Sequence, residues 1–151
     1  LFSYIKIENL NNKRNPLVLS YTLSIDNYAK TVANKIYINL NLDRVLSKSK
    51  IDIKVRKYSK KIDNKFKKSY TTTFTIPDGY KMSYIPKKLS FDNPEFGYSI
   101  TYTQKGNTII QKKTIYINTL SIKKDTFETW NSFIKSIIKA YKKNIIIEQT
   151  P

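Results

Sequence analysis

The side chains that perform most enzymatic chemistry are missing from this sequence, which contains no cysteine and no histidine. Their absence removes disulfides, thiol nucleophiles, Cys/His zinc sites and every His-based triad or acid–base pair. Carboxylates remain, but Asp and Glu number only 11 in 151 residues and never cluster. The nearest pairs are Asp92 with Glu95, in a D-N-P-E turn, and Asp125 with Glu128, at the start of a helical pattern. Both have structural explanations, as turn and capping groups. No catalytic residue, cofactor-binding residue or metal ligand is expected, and the chain is read as a non-enzyme. The chemistry left to it is cationic. Lys54, Arg56, Lys60, Lys61, Lys65, Lys67 and Lys68 crowd one short segment, and they are the candidate contacts for a polyanion such as nucleic acid, acidic glycan or anionic lipid headgroups.

The net charge of +17 supports that reading only weakly. Of 28 basic residues only Arg14, Arg44 and Arg56 are arginine, the residue favoured for bidentate contacts to phosphates and bases. Lys, Ile, Asn and Tyr together supply 73 of the 151 residues. All four are encoded by A/T-rich codons, so a low-GC genome would yield this composition with no ligand in play. The lysines also run along the whole chain. The expectation is therefore weak, salt-sensitive polyanion binding and no specific nucleic-acid partner.

The elements that would position these residues read mainly as strands. Phe2 to Glu8 places Ile5 and Ile7 on one face. Leu17, Leu19, Tyr21, Leu23 and Ile25 alternate with smaller or polar residues, which predicts a strand with one buried face. Ile36, Ile38 and Leu40 follow in phase. Ile51, Ile53 and Val55 predict a short strand with Asp52, Lys54 and Arg56 outward. Lys57 to Ser69 is a solvated hairpin or crossover. Tyr70, Thr72, Phe74 and Ile76 alternate with Thr71, Thr73 and Thr75, a strand with a β-branched solvent face. Pro77-Asp78-Gly79 is a turn in which Pro fixes φ and Gly accepts a positive φ. Tyr80, Met82 and Tyr84 form the next strand, ended by Pro86. Phe96 to Tyr102 and Thr108 to Asn118 predict an antiparallel hairpin around Lys105-Gly106-Asn107. In its second strand Ile110 and Tyr116 oppose Ile109, Ile115 and Ile117, which predicts a bulge or burial on both sides.

The period then changes. Phe127, Trp130, Phe133, Ile134, Ile137, Ile138 and Tyr141 share one helical face, predicting a helix from about Asp125 to Lys143. Asp125 is placed as N-cap and Glu128 at the reciprocal position. Trp130, Phe133, Ile134 and Ile137 are expected to dock the helix on a sheet. Ile145 to Ile147 is a last short strand. The fold class is thus mainly β: an antiparallel, β-sandwich-like body with one C-terminal α-helix packed on a sheet. Residues 1–151 are read as a single β-rich domain, with a subdivision near 69 as the alternative. No apolar run approaches the ~18 residues of a membrane-spanning helix. The chain starts at Leu1 and enters a strand pattern at once, so it is read as a fragment of a longer protein.

The order I-P-D-G-Y-K-M-S-Y-I-P-K, then F-G-Y-S-I-T-Y-T, then D-T-F-E-T-W-N-S-F-I-K-S-I-I-K-A and a closing I-I-I-E resembles the tail of a bacterial family. N-K-I-Y-I-N-L-N-L-D and V-R-K-Y suit the segment before it. This family comprises the exported transglutaminase-like proteins of Bacteroidetes, with an N-terminal β domain, a papain-like transglutaminase core and a C-terminal β domain. The resemblance implies the C-terminal domain, a periplasmic or envelope location, and adjacent domains of the same chain as partners, with a protein or glycan partner conceivable. The family's Cys, His and Asp triad cannot be carried over, since two of its residue types do not occur here. The implied role is a non-catalytic accessory or interaction domain with no cofactor; the alternative is a basic binding module for polyanions.

Overall fold

The computed structural model describes residues 2–12 and 14–150. They form two compact units divided between Lys30 and Thr31; Ser69 lies inside a strand.

The first unit is a hairpin of β1 (Phe2–Glu8) and β2 (Val18–Leu23), paired antiparallel. Ile5 lies opposite Tyr21 and Ile7 opposite Leu19, so the odd-numbered residues share one face. Lys6, which pairs with Glu8, projects to the other. The expected alternation is present, but the expected burial is not: every residue of β2 is exposed. Two strands have nothing of their own to cover an apolar face.

The second unit is built on β6 (Phe66–Thr75), β8 (Leu89–Phe91), β9 (Phe96–Lys105) and β10 (Thr108–Ile117), in the order β6-β10-β9-β8. Around β10 the pairing runs without a register shift. Every odd residue of β10 therefore faces the same way, and the expected bulge does not occur. Ile110 and Tyr116 are half-buried on the outer face. That face carries Thr71, Thr73, Thr101 and Thr103 on the neighbouring strands, as suits a solvated sheet surface.

The inner face is covered by two different bodies. At one end of β10, Ile115 and Ile117 pack with Phe96, Tyr98 and the helix α1 (Phe127–Tyr141). Phe127, Trp130, Phe133, Ile134 and Ile137 of that helix are all buried. Burial of large apolar side chains at about 1.5–3 kcal/mol each is ample reason for the helix to dock. At the other end, Ile109 and Phe74 pack against a second sheet. That sheet contains β3 (Lys30–Val32), β4 (Lys35–Ile38), β7 (Tyr80–Tyr84) and β12 (Ile145–Gln149) in the order β3-β4-β12-β7. A short ladder of β5 (Lys60–Lys61) with β11 (Ser121–Ile122) completes the strands. The fold is mainly β, antiparallel, with one C-terminal helix on a sheet.

Two local expectations are corrected. Ile51 to Val55 is not a strand: the Asp52 side chain accepts the Lys54 N–H and its carbonyl accepts the Arg56 N–H, both at 3.0 Å. These bonds curl the chain into a turn. Asp125 is not the helix cap either. It sits inside a 3-10 turn, Lys124–Thr126, and the N-cap is Thr126, which makes no side-chain cap bond. The Thr126 hydroxyl instead donates back to the Lys123 carbonyl at 2.9 Å.

Between the two apolar clusters, β10 turns Gln111 and Lys113 inward, and both are almost fully buried. The segment 39–46 crosses over them like a strap. Gln111 donates to Asn41 at 3.3 Å and to the Tyr102 hydroxyl at 3.0 Å. Lys113 donates to the Asp43 carbonyl at 2.5 Å, with its ammonium 4.4 Å from the Tyr70 ring centre and 5.2 Å from that of Tyr141. The Tyr70 hydroxyl donates to Asp43 Oδ2 at 2.6 Å, and Tyr141 donates to the Val45 carbonyl at 3.0 Å. Burial, the hydrogen bond to Asp43 and its negative charge push the Tyr70 hydroxyl up to about 12. Burial lowers Lys113, with the Asp43 carboxylate opposing and Arg44 adding to the fall.

Gly97 serves a close approach. Tyr116, its cross-strand partner, lies over it and donates to Asp92 Oδ1 and the Asn93 carbonyl, both at 2.8 Å. A Cβ on Gly97 would stand 2.5 Å from Tyr116 Oη and 2.6 Å from the Phe91 carbonyl oxygen. Gly97→Ala is therefore expected to cost about 1–3 kcal/mol, as overpacking does, read as a lower chemical denaturation midpoint. The double change Gly97→Ala with Tyr116→Ala should cost less than the sum of the two single changes; simple additivity would remove the steric explanation.

Candidate functional site

Of the seven basic residues singled out in the sequence, the fold brings Arg56 and Lys60 together and separates most of the rest. Arg56 and Lys60 line a cleft of about 490 Å³, joined by Lys50, Lys57 and the ring of Tyr58. Lys54 lies on the Asp52 turn and is not among the residues that line this cleft. Lys61 belongs to the neighbouring depression over Ile62, Asn64 and Phe66. Lys65 is exposed just before β6. Lys67 and Lys68 are consecutive in β6 and so project to opposite faces of the sheet. Lys67 lies beside Tyr116, Asp92 and Asn93, whereas Lys68 reaches over the Phe66 ring, 5.6 Å from its centre.

The cleft floor is fixed by the helix. Trp130 Nε1 donates to the Ser49 carbonyl at 2.8 Å. The Asn131 side chain accepts the Ile51 N–H and donates to the Ile51 carbonyl, both at 2.8 Å. One amide side chain thus supplies the pair of bonds that a neighbouring strand would give, and Ile51 is buried beneath them. Above this anchor the Asp52 turn leads into Arg56, which lines the cleft together with Lys60. The Lys60 ammonium lies 5.7 Å from the Trp130 ring centre and 3.4 Å from the Ser49 carbonyl oxygen. Partial burial lowers its pKa first, and repulsion from Arg56 lowers it further.

The charges on the cleft wall are unbalanced, with Lys50, Arg56, Lys57 and Lys60 set against a single carboxylate. Its one carboxylate, Asp52, is engaged with the Lys54 N–H. Among the described residues, the ion pairs join Lys6 to Glu8 and Lys81 to Glu148, both elsewhere. Apolar surface accompanies the charge: Tyr58 is 83% and Val55 73% exposed. Such an arrangement can hold an anionic group electrostatically against a flat apolar body, but it contains no nucleophile–base pair. Among the described residues no group of His, Cys, Asp and Glu could hold a metal ion, and no helix is long and apolar enough to cross a membrane.

Lys50 and Asn131 had no signal in the sequence, because a site made by a loop folding onto a helix some eighty residues away leaves none. Lys57 and Tyr58 follow Arg56 directly in the charged stretch, and the fold places them with Lys50 and Lys60 at one cleft.

Comparison with known proteins is consistent with this architecture. The fold resembles a crystal structure described as that of a putative protease from Parabacteroides distasonis, with a TM-score of 0.53 and 19% sequence identity. The match covers 62% of this chain and 18% of that one, so the chain spans less than a fifth of the length of that protein. No curated protein matches the sequence. Residues 34–147, the whole body from just before β4 into β12, match a family model described as a domain of unknown function with a solved structure, and the chain belongs to that family, DUF3858.

Proposed function

We propose that this chain is a non-catalytic accessory or interaction domain of a longer, exported transglutaminase-like protein. The observation that carries the reading is one of proportion. A body of this fold occupies 18% of a much longer chain in its structural neighbour, and the family model spans this body alone. The motif order from Ile76 to Glu148 supports the transglutaminase-like context and the C-terminal position within it. Chemical poverty supports the non-catalytic role: every enzyme of that kind needs groups that this sequence lacks. A direct test assays the purified chain for peptide hydrolysis and for amine transfer to glutamine, beside the full-length protein with and without residues 31–151. The chain alone should show no turnover, and its removal should weaken substrate engagement or stability of the longer protein. Saturable turnover by the chain alone would overturn the reading.

A second reading, a binding module for polyanions, is favoured by one specific observation, the cleft in which Lys50, Arg56, Lys57 and Lys60 converge without an opposing ion pair. The two readings are compatible, since an interaction domain needs a ligand.

A further inference from the structure

The geometry points to the Arg56–Lys60 cleft as a binding site for an acidic saccharide, a short run of sugars bearing carboxylate or sulfate groups. This inference rests on the polyanion reading and narrows it to one place and one ligand class. Three features of the cleft carry it.

The first is preorganisation. Ser49 and Ile51 are tied to the helix by Trp130 and Asn131, and the Asp52 turn fixes the approach to Arg56. Lys60 is held over the Trp130 ring. The backbone that carries the cations, and the Lys60 side chain, are therefore set before any ligand arrives, and less ordering entropy opposes binding. The repulsion between Lys60 and Arg56 is already present in the free protein, and an anion placed between them relieves it.

The second is the aromatic wall. Tyr58 exposes most of its ring to solvent beside these charges. An exposed ring with a cationic rim suits the apolar C–H face of a sugar whose acidic substituent reaches the ammonium groups.

The third is what argues against the other anionic polymers. A nucleic-acid strand needs successive stacking platforms along a groove, and this cleft offers one ring. A compact cleft of about 490 Å³ fits one or two sugar units better than a phosphate track.

The test is calorimetric titration of the chain at physiological salt with three anionic probes: a galacturonate hexasaccharide, a single-stranded oligonucleotide matched to it in charge, and a more highly charged heparin hexasaccharide. Wild type should bind at least one of the saccharides saturably, with one site, and more tightly than the oligonucleotide. Arg56→Glu with Lys60→Glu should weaken that binding by about tenfold or more, as losing opposed charges at a contact does. Tyr58→Ala should weaken it severalfold while leaving net charge unchanged. Lys67→Glu with Lys68→Glu, outside the cleft, should have little effect. If the first pair fails to fold, judged by thermal denaturation, Arg56→Gln with Lys57→Gln replaces it, with the same direction expected. Equal loss on reversing either pair would mean diffuse charge, and would overturn both this inference and the polyanion reading. Site-specific binding that favours the oligonucleotide, or that ignores Tyr58→Ala, would leave the polyanion reading standing and overturn the saccharide inference. No saturable binding to any probe would overturn both.

Discussion

Trp130→Ala is expected to lower the stability of the chain by about 3–5 kcal/mol, the range of large aromatic truncations in packed cores. The ring is fully buried and sits at the junction of everything that covers its end of the long sheet. It meets Phe96 edge-on at a centroid distance of 5.2 Å and Phe133 at 5.5 Å, an arrangement that adds to simple area burial. Its indole N–H is also the anchor of the Ser49 carbonyl. Truncation therefore opens a cavity and orphans an acceptor in the same step. Trp130→Phe separates the two effects: it keeps most of the volume and loses the hydrogen bond, which should cost about 0.5–1.5 kcal/mol plus a packing term. Urea denaturation of the three proteins measures both differences. An unchanged midpoint for Trp130→Ala would mean that the helix face is free and available to a partner.

The helix and the three long strands were legible because burial is periodic in them. Tyr70 to Ile76 and Ile109 to Ile117 keep a period of two in burial, Phe96 to Tyr102 keeps it except at the buried Gly97, and Phe127 to Tyr141 keeps a helical one. Pro77-Asp78-Gly79 was legible for a local reason, and Gly79 takes the expected positive φ. What was not legible depends on partners distant in sequence. Ile145 to Ile147 read correctly as a last short strand, but its place between β4 and β7, pairing with both, was not legible. Ile51, Ile53 and Val55 alternate like a strand, but the Asp52 side chain and carbonyl capture two nearby N–H groups and no neighbouring strand is there to compete. The seven basic residues were a cluster in sequence only. Strand geometry sends Lys67 and Lys68 to opposite faces, while Arg56 and Lys60 line one cleft.

Lys113 is a lysine that the fold buries almost completely, and its replacement gives the other large effect. It shares the inward phase of Ile109, Ile115 and Ile117, and period outweighs charge in deciding where it points. Once inside, its ammonium finds a carbonyl and two ring faces, all of which favour a cation. Lys113→Glu should therefore cost about 3–5 kcal/mol, comparable to leaving a buried charge without a partner: the new carboxylate would face the Asp43 carbonyl, the Asp43 carboxylate and the electron-rich faces of Tyr70 and Tyr141. Lys113→Met keeps the unbranched stem and discards the charge, so it should stay within about 1.5 kcal/mol of the wild type. The pH dependence tests the reason. Burial holds Lys113 below its ordinary pKa of 10.5. Between that depressed value and 10.5 the unfolded chain binds a proton that the folded chain lacks, and Lys113 contributes stability that rises with pH. Tyr70 acts in the opposite sense. Its folded pKa of about 12 exceeds the ordinary 10, so its contribution is complete below pH 10 and is lost as pH rises toward 12; Tyr141, also raised by burial, adds to that loss. The stability of Lys113→Met relative to wild type should accordingly be most favourable near neutral pH and should decline as pH approaches 10.5, because the wild type sheds a penalty that the variant never had. Denaturation midpoints of both proteins from pH 7 to 11 decide the matter: a difference that does not change with pH would show that the buried ammonium carries no desolvation penalty in this fold.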